Sequence, residues 1–298
     1  MKNSKLKNIV AHRLRWYALL IIGLLLLSQL LALWFFPLEL ITHFTLHGII
    51  FILLCSFAFM PKWRYLLWVL AIVVISVSLF SQSKSLEKSH TQSILSYNIN
   101  FENQHKDYEI DFLLQNNADI LALSEIGGSE WKSQLHTLKQ HYPHNCGHDI
   151  DSPFAMQILS QLPLIACEVH FVDIYPFIRA VLPQNRSIFL IHPPPPINKE
   201  LVHDRQEYFH QTATFIANEA NPVIVVGDLN NTAYSPIYRK FIQTAQIKDA
   251  LAIATASWKP LLLPIDRVLY RNIEVVAKPL SWQYSDHRPI LTKMQLSD

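Results

Sequence analysis

Three apolar runs within the first eighty residues constrain this chain more than any other feature. The first goes from Trp16 to Phe36 and the second from Leu40 to Met60, both without Asp, Glu, Lys or Arg, and the third from Tyr65 to Phe80. Crossing the hydrocarbon core of a bilayer takes about 20 residues, within a range of roughly 17–25. The first two runs fit that length, and the third reaches its lower edge when Arg64 is included. A cleaved secretory leader has an apolar core of only about 7–15 residues, so the first run reads as a span. Pro37 and Pro61 interrupt the chain after the first and second runs. Lys2, Lys5, Lys7, Arg13 and Arg15 precede the first run, Lys62 and Arg64 follow the second, and the connection between first and second holds only Glu39. Cytoplasmic loops carry the excess of Lys and Arg. The expected layout is therefore a basic cytoplasmic segment over residues 1–15, membrane helices over 16–36, 40–60 and 64–80, and a Ser-rich linker over 81–91. A domain over 92–298 then lies outside the cytoplasm, at the cell (inner) membrane.

Charge divides at the same place. Residues 1–89 hold 9 Lys and Arg against 2 acidic residues, and residues 90–298 hold 16 against 21. The globular part is mildly acidic, whereas a domain built to grip long nucleic acid ordinarily shows a basic face. About 200 residues suffice for one well-buried domain. Cys55 lies in an apolar run. Cys146 and Cys167 either pair in an oxidising compartment or stand as two idle thiols.

From Ser93 onward, short apolar runs alternate with helical patterns, the signature of a layered α/β domain. Strands are expected at Ile94–Ile99, Ile120–Leu123, Met156–Ser160, Ser187–Ile191, Val223–Val226, Ile265–Tyr270 and Ile290–Met294. Helices are expected at Tyr108–Gln115, Glu130–Lys139 and His203–Glu219. Polar residues recur where these strands end or begin: Asn98, Glu125, His192, Asp228 with Asn230, Asp266, and Asp286 with His287. Taken singly, each is an ordinary turn or cap residue. As a set they suit phosphoester hydrolysis, because strand ends are where loops converge into sites. A hard cation such as Mg²⁺ takes carboxylate oxygens and neutralises charge on the phosphoryl group. A further carboxylate can handle the attacking water, and a His held by an Asp can serve the leaving oxygen.

The strings SYNIN, LALSE, GDLN, PIDRVL and SDHRP, in this order and spacing, resemble the endonuclease/exonuclease/phosphatase superfamily. DSPFAMQILSQLPL and HPPPP resemble a bacterial subgroup of it with N-terminal membrane helices. The resemblance implies a four-layer α/β sandwich, two packed sheets flanked by helices, and a Mg²⁺- or Mn²⁺-dependent phosphoric ester hydrolase. It implies Glu125 as principal metal ligand, with Asn98 beside it and Asp286 as a further metal-side carboxylate. Asp228 corresponds to the group that aligns or deprotonates the water, and Asn230 to the residue that orients water and phosphate. His287 corresponds to the catalytic His, Asp266 to the carboxylate that orients it, and His192 to a phosphate-contacting His. Ser124 stands where the family usually has Gln, Gln161 where it often has Arg, and the stretch between Asp249 and Asp266 is short. These departures bear on substrate, which is a phosphoester borne on a lipid head group, a small molecule or a nucleic acid. No protein partner is expected. A nuclease acting outside the cytoplasm, or a non-catalytic binding protein on the same fold, are the competing readings.

Arg179, Arg186, Arg205 and Arg267 are candidates to meet phosphate, Arg267 first because it adjoins Asp266. His136, His141, His144 and His148 read as solvated loop residues rather than zinc ligands, and Pro193–Pro196 as a stiff loop on the rim of the site.

Overall fold

The computed structural model describes residues 2–80 and 91–295. The linker read over 81–91 thus lies outside the described residues, its last residue excepted. Helix α1 (Lys2–Leu31) begins well before the first apolar run, since no Pro or Gly interrupts residues 2–16. It stops ahead of Pro37, which sits in the first turn of α2 (Phe36–His43), where a missing N–H costs nothing. The second run, read above as one span, divides. Helix α3 (Thr45–Cys55), prolonged by a 3₁₀ turn over Ser56–Ala58, leaves α2 at Phe44 with a bend of 71°. Helix α4 (Pro61–Leu79) follows. Two of these helices, α1 and α4, are long and apolar enough to cross a membrane, and the bent pair makes a third if taken as one span.

Hydrogen bonds at the helix ends give the directions. The Tyr234 carbonyl accepts from Gln29 near the end of α1 at 3.3 Å, and the Ser78 carbonyl near the end of α4 accepts from the Ala254 N–H at 2.9 Å. His47, early in α3, lies 3.1 Å from the Leu261 carbonyl, while the Ala58 carbonyl beyond its other end accepts from Arg15 of α1. Hence α1 and α4 both run toward the rest of the chain and α3 runs away from it. The turn at α2 lies against the domain.

That domain runs β1 (Thr91–Asn98), α5 (Lys106–Asn116), β2 (Ile120–Ser124), α6 (Lys132–His141), β3 (His144–His148), β4 (Met156–Ser160), β5 (Ala166–Val172), β6 (Tyr175–Leu182) and β7 (Arg186–Ile191). It continues with α7 (Lys199–Ala217), β8 (Val223–Asp228), α8 (Pro236–Ala245), β9 (Lys248–Asp249), β10 (Asp266–Arg271), β11 (Val275–Pro279) and β12 (Ile290–Gln295). One six-stranded sheet is ordered β11-β12-β1-β2-β4-β3, the other β5-β6-β7-β8-β10-β9. Each has a single parallel pair near its centre, β1 with β2 and β7 with β8. In β8, Ile224 and Val226 enter the layer between the sheets, while Val223 and Val225 pack under α7 and α8. The same alternation puts Ile94 between the sheets and Leu95 against α5 and α6. Strands buried on both faces read as unbroken apolar runs, and the result is the expected four-layer α/β sandwich.

Cys146 and Cys167 form a disulfide that joins β3 of one sheet to β5 of the other. The histidines read as loop residues sit on regular elements, His136 and His141 on α6, His144 and His148 on β3. The resulting Cys146 commitment also removes the one thiol among them from any metal set.

Candidate active site

Both parallel pairs end at the same edge of the sandwich, and the polar residues that follow them meet there. Register sets the first matches: Asn98 faces Ser124 across β1 and β2, which brings Glu125 beside it, and Asp228 faces Asp266 across β8 and β10. Two backbone features sharpen the turns. Glu125 takes φ of 63°, in the left-handed region that a side chain rarely adopts. Gly227, at φ 139°, lies so close to β7 that a Cβ there would meet the Ile191 carbonyl oxygen at 2.1 Å. That close approach requires glycine and holds the polar ends of β7 and β8, His192 and Asp228, side by side.

The Asn98 amide donates to Glu125 at 2.7 Å and to Asp228 at 3.1 Å. Nε2 of His192 lies 3.7 Å from Glu125 and 3.6 Å from Asp228. His287 places Nδ1 2.9 Å from Asp266 and Nε2 3.7 Å from Asp228. Burial would raise the Asp228 carboxyl, but the charges of His287 and His192 outweigh it and hold the group down at about 2. Burial works to lower His287, and Asp266 and Asp228 overcome it, pushing the imidazole up to about 10. Asp266 is itself raised, by burial first and by the neighbouring Asp228. His287 therefore keeps its proton at neutral pH, with Nδ1 turned to Asp266. His192 is raised by the carboxylates against the opposing effect of burial.

Asn230 and Asp286 complete the rim. The Asn230 N–H donates to Asp228 at 2.8 Å, and its side-chain amide donates to the Pro193 carbonyl at 3.0 Å, tying the proline loop to the site. Asp286 stands slightly apart, accepting from Asn100 at 2.9 Å and from the Trp258 indole at 2.8 Å. None of the four arginines proposed for phosphate lines the cavity. Arg267 follows Asp266 on a strand and so points to the opposite face, where Asp249 and the Leu251 and Ala252 carbonyls hold it. Arg179 pairs with Glu168 and Glu219, and Arg186 turns to its own loop. Arg205 is buried between Glu39 of α2 and the Asn230 carbonyl.

Sequence reasoning missed Asn100, Trp258 and Ser257. The Ser257 hydroxyl accepts from the Asp266 N–H at 2.8 Å. Asn100 belongs to the quoted SYNIN string and was legible there; Trp258 and Ser257 follow no strand and carry no local signal.

Among the described residues, two sets of side chains have donor atoms within 4.8 Å of one another, as a metal site requires: Glu125, His192 and Asp228, and Asp228, Asp266 and His287. In the second set the imidazole nitrogen nearest Asp266 is already engaged with it. The first set fits a hard divalent cation better. Glu125 is part-exposed to the cavity, and among the described residues neither it nor Asp228 has a Lys or Arg partner. Asn98 donates to both carboxylates rather than offering them its oxygen, and Asp286 belongs to neither set.

Residues 95–287 match the Endonuclease/Exonuclease/phosphatase family, which covers most of the domain just described. This chain belongs to that family. The sandwich is also similar to sphingomyelinase C from Streptomyces griseocarneus, with a TM-score of 0.56 at 15% identity over 68% of this chain and 99% of that one. TDP2 from Caenorhabditis elegans, in truncated form, superposes with a TM-score of 0.54 at 18% identity, over 69% and 98% of the two chains. A functionally unknown conserved protein from Enterococcus faecalis V583 gives 0.57 at 14% identity, over 68% and 99%. At these identities the likeness is one of fold. No curated protein sequence matches the chain.

Proposed function

We propose that this protein is a membrane-anchored phosphoester hydrolase, acting on phosphodiesters with Mg²⁺ or Mn²⁺ on the side of the membrane opposite its basic N-terminal segment. The observation that carries this reading is the convergence of Glu125, Asp228, His192 and the Asp266–His287 pair, from both sheets, on one cavity. Glu125 and Asp228, with Asp286 nearby, would hold the cation, which when bound neutralises charge on the phosphoryl oxygens. Asp228 is held too low to act as a strong base, so its part is to align the attacking water by a hydrogen bond. Asn230 fixes that carboxylate through its N–H, and His192 faces the non-bridging oxygens. The charged His287, oriented by Asp266, stabilises the pentavalent state. Water oxygen bonds to phosphorus as the bond to the leaving oxygen breaks. His287 gives its proton to the leaving oxygen and is recharged by the proton the water loses.

The orientation is supported by the Lys and Arg bias, by the alternating directions of α1, α3 and α4, and by the disulfide, which suits an oxidising compartment. A phosphatase reporter fused beyond Asp298 should be active only if that end is outside; a fluorescent cytoplasmic reporter lighting up there would refute the layout. The activity is tested with the full chain and bis(4-nitrophenyl) phosphate. Release of nitrophenol should require Mg²⁺ or Mn²⁺, and unchanged release after exhaustive chelation would overturn the reading.

A further inference from the structure

The cavity at the catalytic cluster is larger than a phosphate group needs, and most of its wall is of the wrong chemistry to hold one. It has a volume of about 660 Å³. Glu125, His192, Asp228 and His287 occupy one corner; Leu40 and Phe44, at the bend between α2 and α3, form part of the wall, with Leu261, Leu201 and Phe154 around the remainder. Phe44 and Leu261 remain 37% and 44% exposed, apolar side chains left open beside a polar centre. The bend is held in place from the domain side. Arg205 donates to Glu39 at 2.6 Å, His43 Nδ1 lies 3.2 Å from the Thr232 hydroxyl, and His47 meets the Leu261 carbonyl. Because α1 and α4 also end at this edge, the mouth lies where the apolar helices reach the domain.

We propose that the bend at Phe44 is a substrate-binding element. Leu40 and Phe44, with Leu261 across from them, hold the hydrocarbon chain of an amphiphilic phosphoester presented from the lipid layer, while its phosphate lies at Glu125 and Asp228. The proposal rests on the hydrolase reading and names its substrate class. The site offers one polar corner and one apolar wall, the division that a lipid phosphoester has and a nucleic acid strand lacks. Among the described residues that line the cavity there is no Lys or Arg to follow a polyanion.

The test uses the full chain reconstituted in phosphatidylcholine vesicles with Mg²⁺, and two chromogenic diesters that differ only in one alkyl group, methyl and hexadecyl 4-nitrophenyl phosphate. Partition enriches the hexadecyl ester for every variant alike, so the quantity read is the change in the hexadecyl-to-methyl ratio of kcat/KM between proteins. Phe44→Ser and Leu261→Ser should each lower that ratio about tenfold, the scale expected when a few methylenes lose apolar contact, and Phe44→Leu should restore it. Both esters cleaved with an unchanged ratio in folded variants would overturn the tail site and leave the hydrolase standing. Neither ester cleaved by the parent protein would sink the hydrolase reading. A second, metal-free measurement then decides the tail site: uncharged hexadecanol bearing a mid-chain diazirine, in EDTA. It should label residues 258–263 and be displaced there by excess hexadecanol. Absence of displaceable label would end the proposal.

Discussion

Two buried clusters of charge lie on either side of Asn230, and they are built to opposite ends. On one side Asp228, Asp266, His192 and His287 crowd together with Glu125 at the cavity, and among the described residues no guanidinium or ammonium fixes their charge. On the other side Arg205, fully buried, is closed off between Glu39, also fully buried, and the Asn230 carbonyl. The first cluster keeps an excess of carboxylate over permanent cation and so has a place for one more ligand. The second neutralises itself and has none. Buried charge thus serves chemistry where it is left incomplete, and position where it is neutralised.

The largest effect that would break this contrast is at Glu125. Glu125→Gln keeps shape and removes the charge that would hold a cation. Turnover should fall to background, with partial recovery at raised Mg²⁺ and an unchanged circular dichroism spectrum. Retention of full turnover would remove Glu125 from the metal site. Next in size is the Asp266–His287 pair. His287→Ala should lower turnover on the order of a hundred- to ten-thousand-fold, Asp266→Asn by a similar factor, and the double variant little more, because the two act as a unit. Multiplicative losses would show two independent residues.

A smaller effect is expected in pH dependence. His287 is raised above its ordinary value, so its charged form is present through neutral pH and is lost as pH rises through about 10. Turnover should decline over that alkaline range. In Asp266→Asn, with the main raising charge gone, what activity remains should decline at lower pH. A decline that stays where it was would dissociate the limb from this histidine.

The smallest effect on turnover belongs to the other cluster. Glu39→Ala leaves a buried guanidinium unpaired, a change that costs about 3–5 kcal/mol of stability, read as a lowered unfolding midpoint in detergent. Replacing both partners, Glu39→Leu with Arg205→Leu, should recover much of that stability. If the double variant recovers stability but not turnover, the pair positions Asn230 as well as the helix.

Much of this was legible because the central strands are buried on both faces. Runs such as Ile120–Leu123 and Val223–Val226 stand out, and the polar residue that ends each one marks the site. Strands at the sheet margins are less marked. In β3, His144–His148 contains one buried residue, and in β5 exposed and covered positions intermix. Helix α8 was missed although Ser235 and Pro236 form a recognisable start, the hydroxyl of Ser235 accepting from Ile237. The error at Arg267 came from taking sequence adjacency for spatial adjacency on a strand. The bend at Phe44 had no visible cause in an apolar run, because the contacts that hold it, Glu39 with Arg205 and His43 with Thr232, span 166 and 189 residues of sequence.

The pairing of Thr91 with Gln295 joins the first strand of the sandwich to its last. Strand β1 then advances about 3.3 Å per residue from Thr91 to the catalytic edge at Asn98, so this joint sits at the pole opposite the cavity mouth. An affinity handle placed beyond Gln295 would be attached at the pole opposite the cavity mouth. Protein captured by that handle on a sensor surface would present its catalytic mouth, helices included, to an applied bilayer disc. The same closeness of the two strand ends makes the tether transposable: a permuted chain could begin at β12 and carry its anchor elsewhere, separating attachment to the membrane from construction of the apolar wall.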